Sequence, residues 1–219
     1  MSKRELPPPL PPETRTVGQL VAEALKLYGD HLWPSLALGI SVAVINQVSV
    51  GHNTLFQVLV LAAGSPLMAA SYTGASAIVG GVRPRREDVV RAIVVGSIVF
   101  VPAAFLTLLF VLPAVAWLAL VGLVVPVIVI ERPATQAAFR RAIQLARADF
   151  VHALGSLATL AILFGLVKLT LVLLLRDLGD AGERVALGLG DLVLSPLLFL
   201  GGALLYVDQA ARVRSSSAT

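Results

Sequence analysis

Long apolar runs alternate with short polar clusters along this chain, and the spacing inside each decides how it folds. Val17, Leu20, Val21, Ala24, Leu27 and Tyr28 recur at helical spacing, while Gln19, Glu23, Lys26 and Asp30 take the other face. That pattern predicts an amphipathic helix over 16–30, lying at a membrane surface. Thr16 can cap it and Gln19 can reach back, as in a capping box. A second interfacial helix is predicted over 134–149. Phe139, Ala142, Ile143, Ala146 and Phe150 share its apolar face; Arg140, Arg141, Gln144 and Arg147 lie opposite.

The remaining runs are long enough to cross a bilayer core, which takes about 20 helical residues. Spans are predicted over 32–50, 54–80, 92–111, 113–130, 150–175 and 187–207. The second contains Pro66 and many small residues, among them Gly64, Ser65, Ala69, Ser71, Gly74 and Ser76. Small residues let helices approach closely, which places this span at the centre of the bundle. The apolar stretch from Ala92 to Ile130 has 39 residues, too many for one span, and is divided near Pro113. The alternating pattern of a membrane β-barrel is missing. The expected fold class is therefore all-α, a polytopic membrane helical bundle with six transmembrane helices and two interfacial amphipathic helices. It forms a single membrane domain over 16–208. A proline-rich tail, 1–15, is expected to be disordered and cytoplasmic, and a basic, serine-rich cytoplasmic tail occupies 209–219.

Composition agrees. Of 219 residues, 57% are hydrophobic and 14% charged, and the mean hydropathy is +0.88, which leaves too little polar surface to cover a soluble domain. The chain has no cysteines, which excludes disulfides, thiol catalysis and cysteine metal sites. The basic N-terminus leads into prolines rather than an apolar core, so no cleaved signal is expected.

Charge then sets orientation. With six spans, Lys3, Arg4, Arg15, Lys26, Arg83, Arg85, Arg86, Arg91, Arg132, Arg140, Arg141, Arg147, Arg212 and Arg214 share one side. They are fourteen of the seventeen Lys and Arg residues; Arg176 and Arg184 lie on the other side, and Lys168 falls within a span. This bias predicts an inner, plasma-membrane protein with both termini cytoplasmic. It also assigns the net charge of +4 to topology rather than to nucleic acid.

Two segments share an order of parts. Thr16 to Asp30, a span, and a span with Ser65-Pro66-Leu67 parallel Thr135 to Asp149, a span, and a span with Ser195-Pro196-Leu197. A parallel repeat would make the helices bearing Pro66 and Pro196 face each other.

Candidate chemistry is sparse. His31, His52 and His152 are too scattered for a metal site, and no catalytic motif, paired-carboxylate arrangement or cofactor signature is present. Lys168 is an ionisable residue inside a span, with Asp191 as its candidate partner; it either snorkels or lines a polar cavity. Glu131, Arg140, Arg141, Asp208 and Arg212 form a candidate interfacial cluster, either a salt-bridge collar or a lipid-headgroup site.

Three stretches complete the reading. They are Thr16-Val-Gly-Gln-Leu-Val-Ala-Glu-Ala-Leu-Lys-Leu-Tyr28, Glu131-Arg-Pro133 followed by Ala138-Phe-Arg-Arg-Ala-Ile-Gln-Leu145, and Leu204-Leu-Tyr-Val-Asp208. Together they resemble the bacterial glycerophosphoryl diester phosphodiesterase membrane-domain proteins. The pattern departs from that family at Ala142, where it has serine, and at Ala210, where it has arginine. The resemblance implies a membrane part without a phosphodiesterase domain, and so no hydrolase activity from the family's name. Three readings follow. One is a non-enzymatic protein that binds or organises membrane lipids, a protein partner or a second copy of itself. The others are a transporter with a polar cavity near Lys168, and a membrane enzyme acting on lipid phosphodiesters, for which acid–base residues at one depth are not found.

Overall fold

The computed structural model describes residues 11–175 and 179–216; residues 1–10, 176–178 and 217–219, in the expected N-terminal tail, outer loop and C-terminal tail, lie outside that description. The described chain is helical throughout, without strands. Five of its helices are long and apolar enough to cross a membrane, and a bent pair brings the number to six.

Helix α1 (Val17–Asp30) opens on the expected capping box. The Gln19 amide donates to the Thr16 hydroxyl at 3.4 Å, and the Thr16 amide donates to the Gln19 side chain at 2.8 Å. Its Leu20 and Ala24 are fully buried. Helix α2 (Leu32–Ser49) is the first apolar helix. Helices α3 (Thr54–Ala63) and α4 (Ser65–Gly80) form one broken span, bent by 52°. The bend has a cause. A Cβ at Gly64 would lie 2.5 Å from Ile45, and Pro66 has no amide to donate, so it starts a helix more readily than it continues one. The Ser65 hydroxyl donates to the Leu61 carbonyl at 3.4 Å, recovering a backbone group at the break.

As the small residues predicted, α4 is central: it packs on α2, α5, α7 and α10, and its Ala69, Ser71, Thr73, Ala75 and Ser76 are buried. Its buried serine and threonine hydroxyls bond locally or across to α2, with Ser71 donating to Ser41 at 2.9 Å. Close backbone approach recurs where α2 meets α10. A Cβ at Gly39 would lie 2.1 Å from the Leu192 carbonyl oxygen.

The third and fourth spans are shifted from their expected limits. Helix α5 runs Arg86–Leu106, starting before 92, because Glu87 and Asp88 suit a helix N-terminus. The turn falls at 107–110, and Pro113 sits in the first turn of α6 (Val111–Val121), where proline is tolerated. Helix α7 (Val124–Ile130) completes that span.

Helix α8 (Thr135–Ala148) packs against α6, α7 and α10 through Ala138, Ala142, Leu145 and Ala146, all fully buried. The expected face was half right. Phe139 and Ile143 are only partly buried, and Phe150 is exposed. Helix α9 (Phe150–Leu175) buries Ala153, Ser156 and Leu160, and turns most of its other residues outward. Helix α10 (Gly179–Ser216) is far longer than the expected 187–207, absorbing part of the predicted loop and tail. Its 38 residues span roughly 57 Å, against a hydrocarbon core of about 30 Å, so its ends project past the apolar layer.

The two candidate repeat units differ locally. Helices α4 and α10 do pack together, with the Tyr72 and Phe199 ring centroids 6.4 Å apart. Pro66, however, starts α4 after a break, whereas Pro196 lies inside continuous α10. Thr16 caps α1, but the cap residue of α8 is Ala134, without a side-chain bond.

Candidate functional site

The bundle has a polar group towards each end, separated along α10 by the 17 residues from Asp191 to Asp208, or about 25 Å. The first unites the two intramembrane candidates. The Lys168 ammonium lies 2.7 Å from one Asp191 carboxylate oxygen, and the Asn46 side-chain amide donates to the other at 2.7 Å. Asp191 is almost wholly buried, and the Lys168 ammonium also stands 5.6 Å from the Phe164 ring centroid. Three helices, α2, α9 and α10, therefore share one charged contact. Each charge in the apolar layer has a partner, as that environment requires.

The other end is richer. Asp208 is fully buried on α10, and Arg15, just before α1, places its Nη1 2.7 Å from the carboxylate. His152 Nε2 stands 4.0 Å from the other oxygen. One helical turn on, Arg212 donates to Asp149 at 2.8 Å and to the Arg15 carbonyl at 3.2 Å. Asp149 in turn accepts the His152 backbone amide at 3.0 Å, capping α9. Buried Gln209 donates to the Asp149 carbonyl at 3.0 Å. This network ties the N-terminal segment, the α8–α9 junction and the end of α10 into one knot.

A second group occupies the opposite side of α10. Glu131 accepts from the Tyr206 hydroxyl at 2.9 Å and from Arg141 Nε at 3.2 Å; Arg141 also donates to Gln144 at 3.2 Å. Glu131, Arg141 and Tyr206 border a half-open cleft of about 390 Å³, whose lining also includes Val79, Gly80 and Arg214. The expected five-residue cluster is thus two clusters. Glu131 and Arg141 belong to the cleft, Asp208 and Arg212 to the knot, and Arg140 is exposed with neither. The division follows from helix geometry, since residues two apart, such as Tyr206 and Asp208, point to different sides.

A third group links α5 to the end of α7. Asp88, buried in the first turn of α5, pairs with Arg91 and lies 3.8 Å from Arg132. Arg132 also donates to the Arg83 carbonyl at 3.1 Å, and it adopts a left-handed backbone at φ 57°. Such a conformation is disfavoured for a residue with a Cβ and is held by its surroundings.

The sequence pairs Lys168 with Asp191 but does not mark Asn46, Arg15, Asp149 or Tyr206 as site residues. The signal for Asn46 was present: it is a strong hydrogen-bonding side chain inside an apolar run. Arg15 gave none, because it lies outside every predicted element.

The three motif stretches meet at this end, through Glu131 with Arg141 and Tyr206, and through Asp208 with the residue preceding Thr16. No family model, curated protein or solved structure matches the chain.

Proposed function

We propose that this chain is a multi-pass inner-membrane protein with both termini cytoplasmic, which binds anionic lipid headgroups at its basic end and catalyses no reaction. The observation that carries this reading is the cleft between α4, α7, α8 and α10. It brings Arg141 and Arg214 from separate helices beside the Tyr206 hydroxyl, with Glu131 holding Arg141 in place. Guanidinium groups suit phosphate oxygens, and a guanidinium held by a carboxylate is more selective than mobile surface charge. Exposed Arg140 adds to the same field. The stretches that resemble the glycerophosphoryl diester phosphodiesterase membrane-domain proteins fit this reading, because Glu131, Arg141, Tyr206 and Asp208 lie in them and build this end of the bundle.

A transport reading would need a hydrated cavity around Lys168. Its ammonium is instead closed on Asp191, and the cavities of the bundle core are lined by apolar side chains apart from the Tyr72 hydroxyl.

The test is lipid binding to purified protein by native mass spectrometry, with phosphatidylglycerol against phosphatidylcholine. Phosphatidylglycerol should bind preferentially. Arg141→Gln should weaken that preference by roughly fivefold, the worth of one basic residue near a charged surface. Equal binding of both lipids by the wild-type protein would overturn the proposal.

A further inference from the structure

We infer a second binding site inside the bundle, for a neutral lipid-soluble molecule bearing a hydrogen-bond-accepting oxygen, of the quinone or diacylglycerol kind. It is independent of the headgroup cleft.

The site centres on Tyr72. This residue lies on α4, eight residues before Gly80, which puts it about 12 Å inside that helix end. It is 93% buried, with 7% of its surface exposed. Its ring meets Phe100 edge-on at 6.1 Å and Phe199 at 6.4 Å. At Gly202 on α10 no side chain crowds the hydroxyl, since a Cβ there would lie 3.3 Å from its oxygen. Phenylalanine would fill the same space without a polar atom. The tyrosine hydroxyl makes no hydrogen bond among the described residues, which is costly in an apolar interior unless something else supplies a partner.

Beside it is a cavity of about 180 Å³, walled by Phe100, Leu118, Leu160 and Phe199 among other apolar side chains. A dry apolar cavity of about 150 Å³ is enough to admit a benzene ring. Water is a poor occupant, because a buried water needs two to four polar partners and this wall offers one hydroxyl. At Val115 and Ala161 the cavity shares its lining with a second one between α6 and α9, which reaches Phe110 near the turn. The two make a ring-sized seat with a path for an apolar tail. Helix α9 borders that path and is held by few buried residues, so entry from the bilayer is open. Depth restricts the head of the ligand. A phosphate carried this far into the hydrocarbon layer would lose its hydration, whereas a carbonyl or hydroxyl loses far less.

The chain carries its own reporter. Of its two tryptophans, Trp33 is exposed, whereas Trp117 donates to the Val99 carbonyl at 2.9 Å beside the cavity residues Leu118 and Phe100. Trp33→Phe protein in phosphatidylcholine nanodiscs should show saturable quenching of Trp117 by decyl-benzoquinone. Tyr72→Phe should weaken apparent binding about fivefold, as expected for one lost hydrogen bond. Ala161→Phe, which fills the throat, should abolish saturation while circular dichroism stays helical. Competition by dioctanoylglycerol assigns the natural ligand to glycerides, and its failure assigns it to quinones; either result supports the site. Three outcomes overturn it: quenching that rises linearly and equally in all variants, saturable quenching indifferent to both substitutions, or displacement by phosphatidylglycerol as effective as by dioctanoylglycerol.

Discussion

Arg15 and Asp208 stand 193 residues apart in the chain and 2.7 Å apart in the fold, a guanidinium resting on a fully buried carboxylate. The contact fixes the segment ahead of α1 against the end of α10, with Arg212 bridging to Asp149 beside it. Removing one partner of a buried pair leaves a charge without compensation. Arg15→Ala should therefore destabilise the protein by about 3 kcal/mol, seen as a lowered thermal midpoint in detergent. Adding Asp208→Asn to Arg15→Ala should recover part of the loss, because no bare charge then remains. An unchanged midpoint in Arg15→Ala would contradict this role.

Lys168 and Asp191 make the corresponding prediction at the other end. Lys168→Met strands Asp191 against Asn46 alone and should cost about 3 kcal/mol. The double variant Lys168→Met with Asp191→Leu should be at least as stable as the single one, since apolar replacements of a buried pair are often neutral or better. A double variant less stable than Lys168→Met would mean that the pair has a role beyond mutual neutralisation.

The Lys168–Asp191 contact was legible because a lone charge in an apolar run must find a partner within reach, and Asp191 was available. The capping box of α1 was legible because Thr16 and Gln19 are neighbours in sequence and their bonds are local. The bend at Gly64 was half legible: Pro66 lies in the run, but hydropathy stays high through α3 and α4, and the close approach of Ile45 on α2 that leaves no room for a Cβ at Gly64 is a long-range contact. The division of the basic cluster was hidden. It depends on which side of α10 each residue faces, and a count of charges near an interface carries no such information.

Arg132 tests the backbone rather than the charges. Its left-handed conformation penalises any residue with a Cβ by about 1 kcal/mol relative to glycine. Arg132→Ala and Arg132→Gly both lose the contacts to Asp88 and Arg83, so the difference between them isolates the backbone term. The glycine variant should melt higher than the alanine variant; the reverse order would refute the assigned conformation.

Gly39 and Gly18 give a paired test of packing. Alanine at Gly39 would drive its Cβ into the Leu192 carbonyl, separating α2 from α10, whereas nothing lies within 4 Å of a Cβ at Gly18. Gly39→Ala should cost about 2 kcal/mol or more, as overpacking does. Gly18→Ala, near the start of α1, should be neutral or stabilising by up to about 1 kcal/mol. Equal thermal midpoints for the two variants would contradict the α2–α10 contact.

The proposed topology has six crossings, with both termini on the basic side. The absence of cysteine makes it directly testable by single-cysteine labelling. A membrane-impermeant maleimide applied to intact spheroplasts should label His52→Cys, Leu109→Cys and Gly182→Cys. It should reach Arg83→Cys and Ser215→Cys only after permeabilisation. Labelling of Gly182→Cys and Ser215→Cys from the same side would contradict the account.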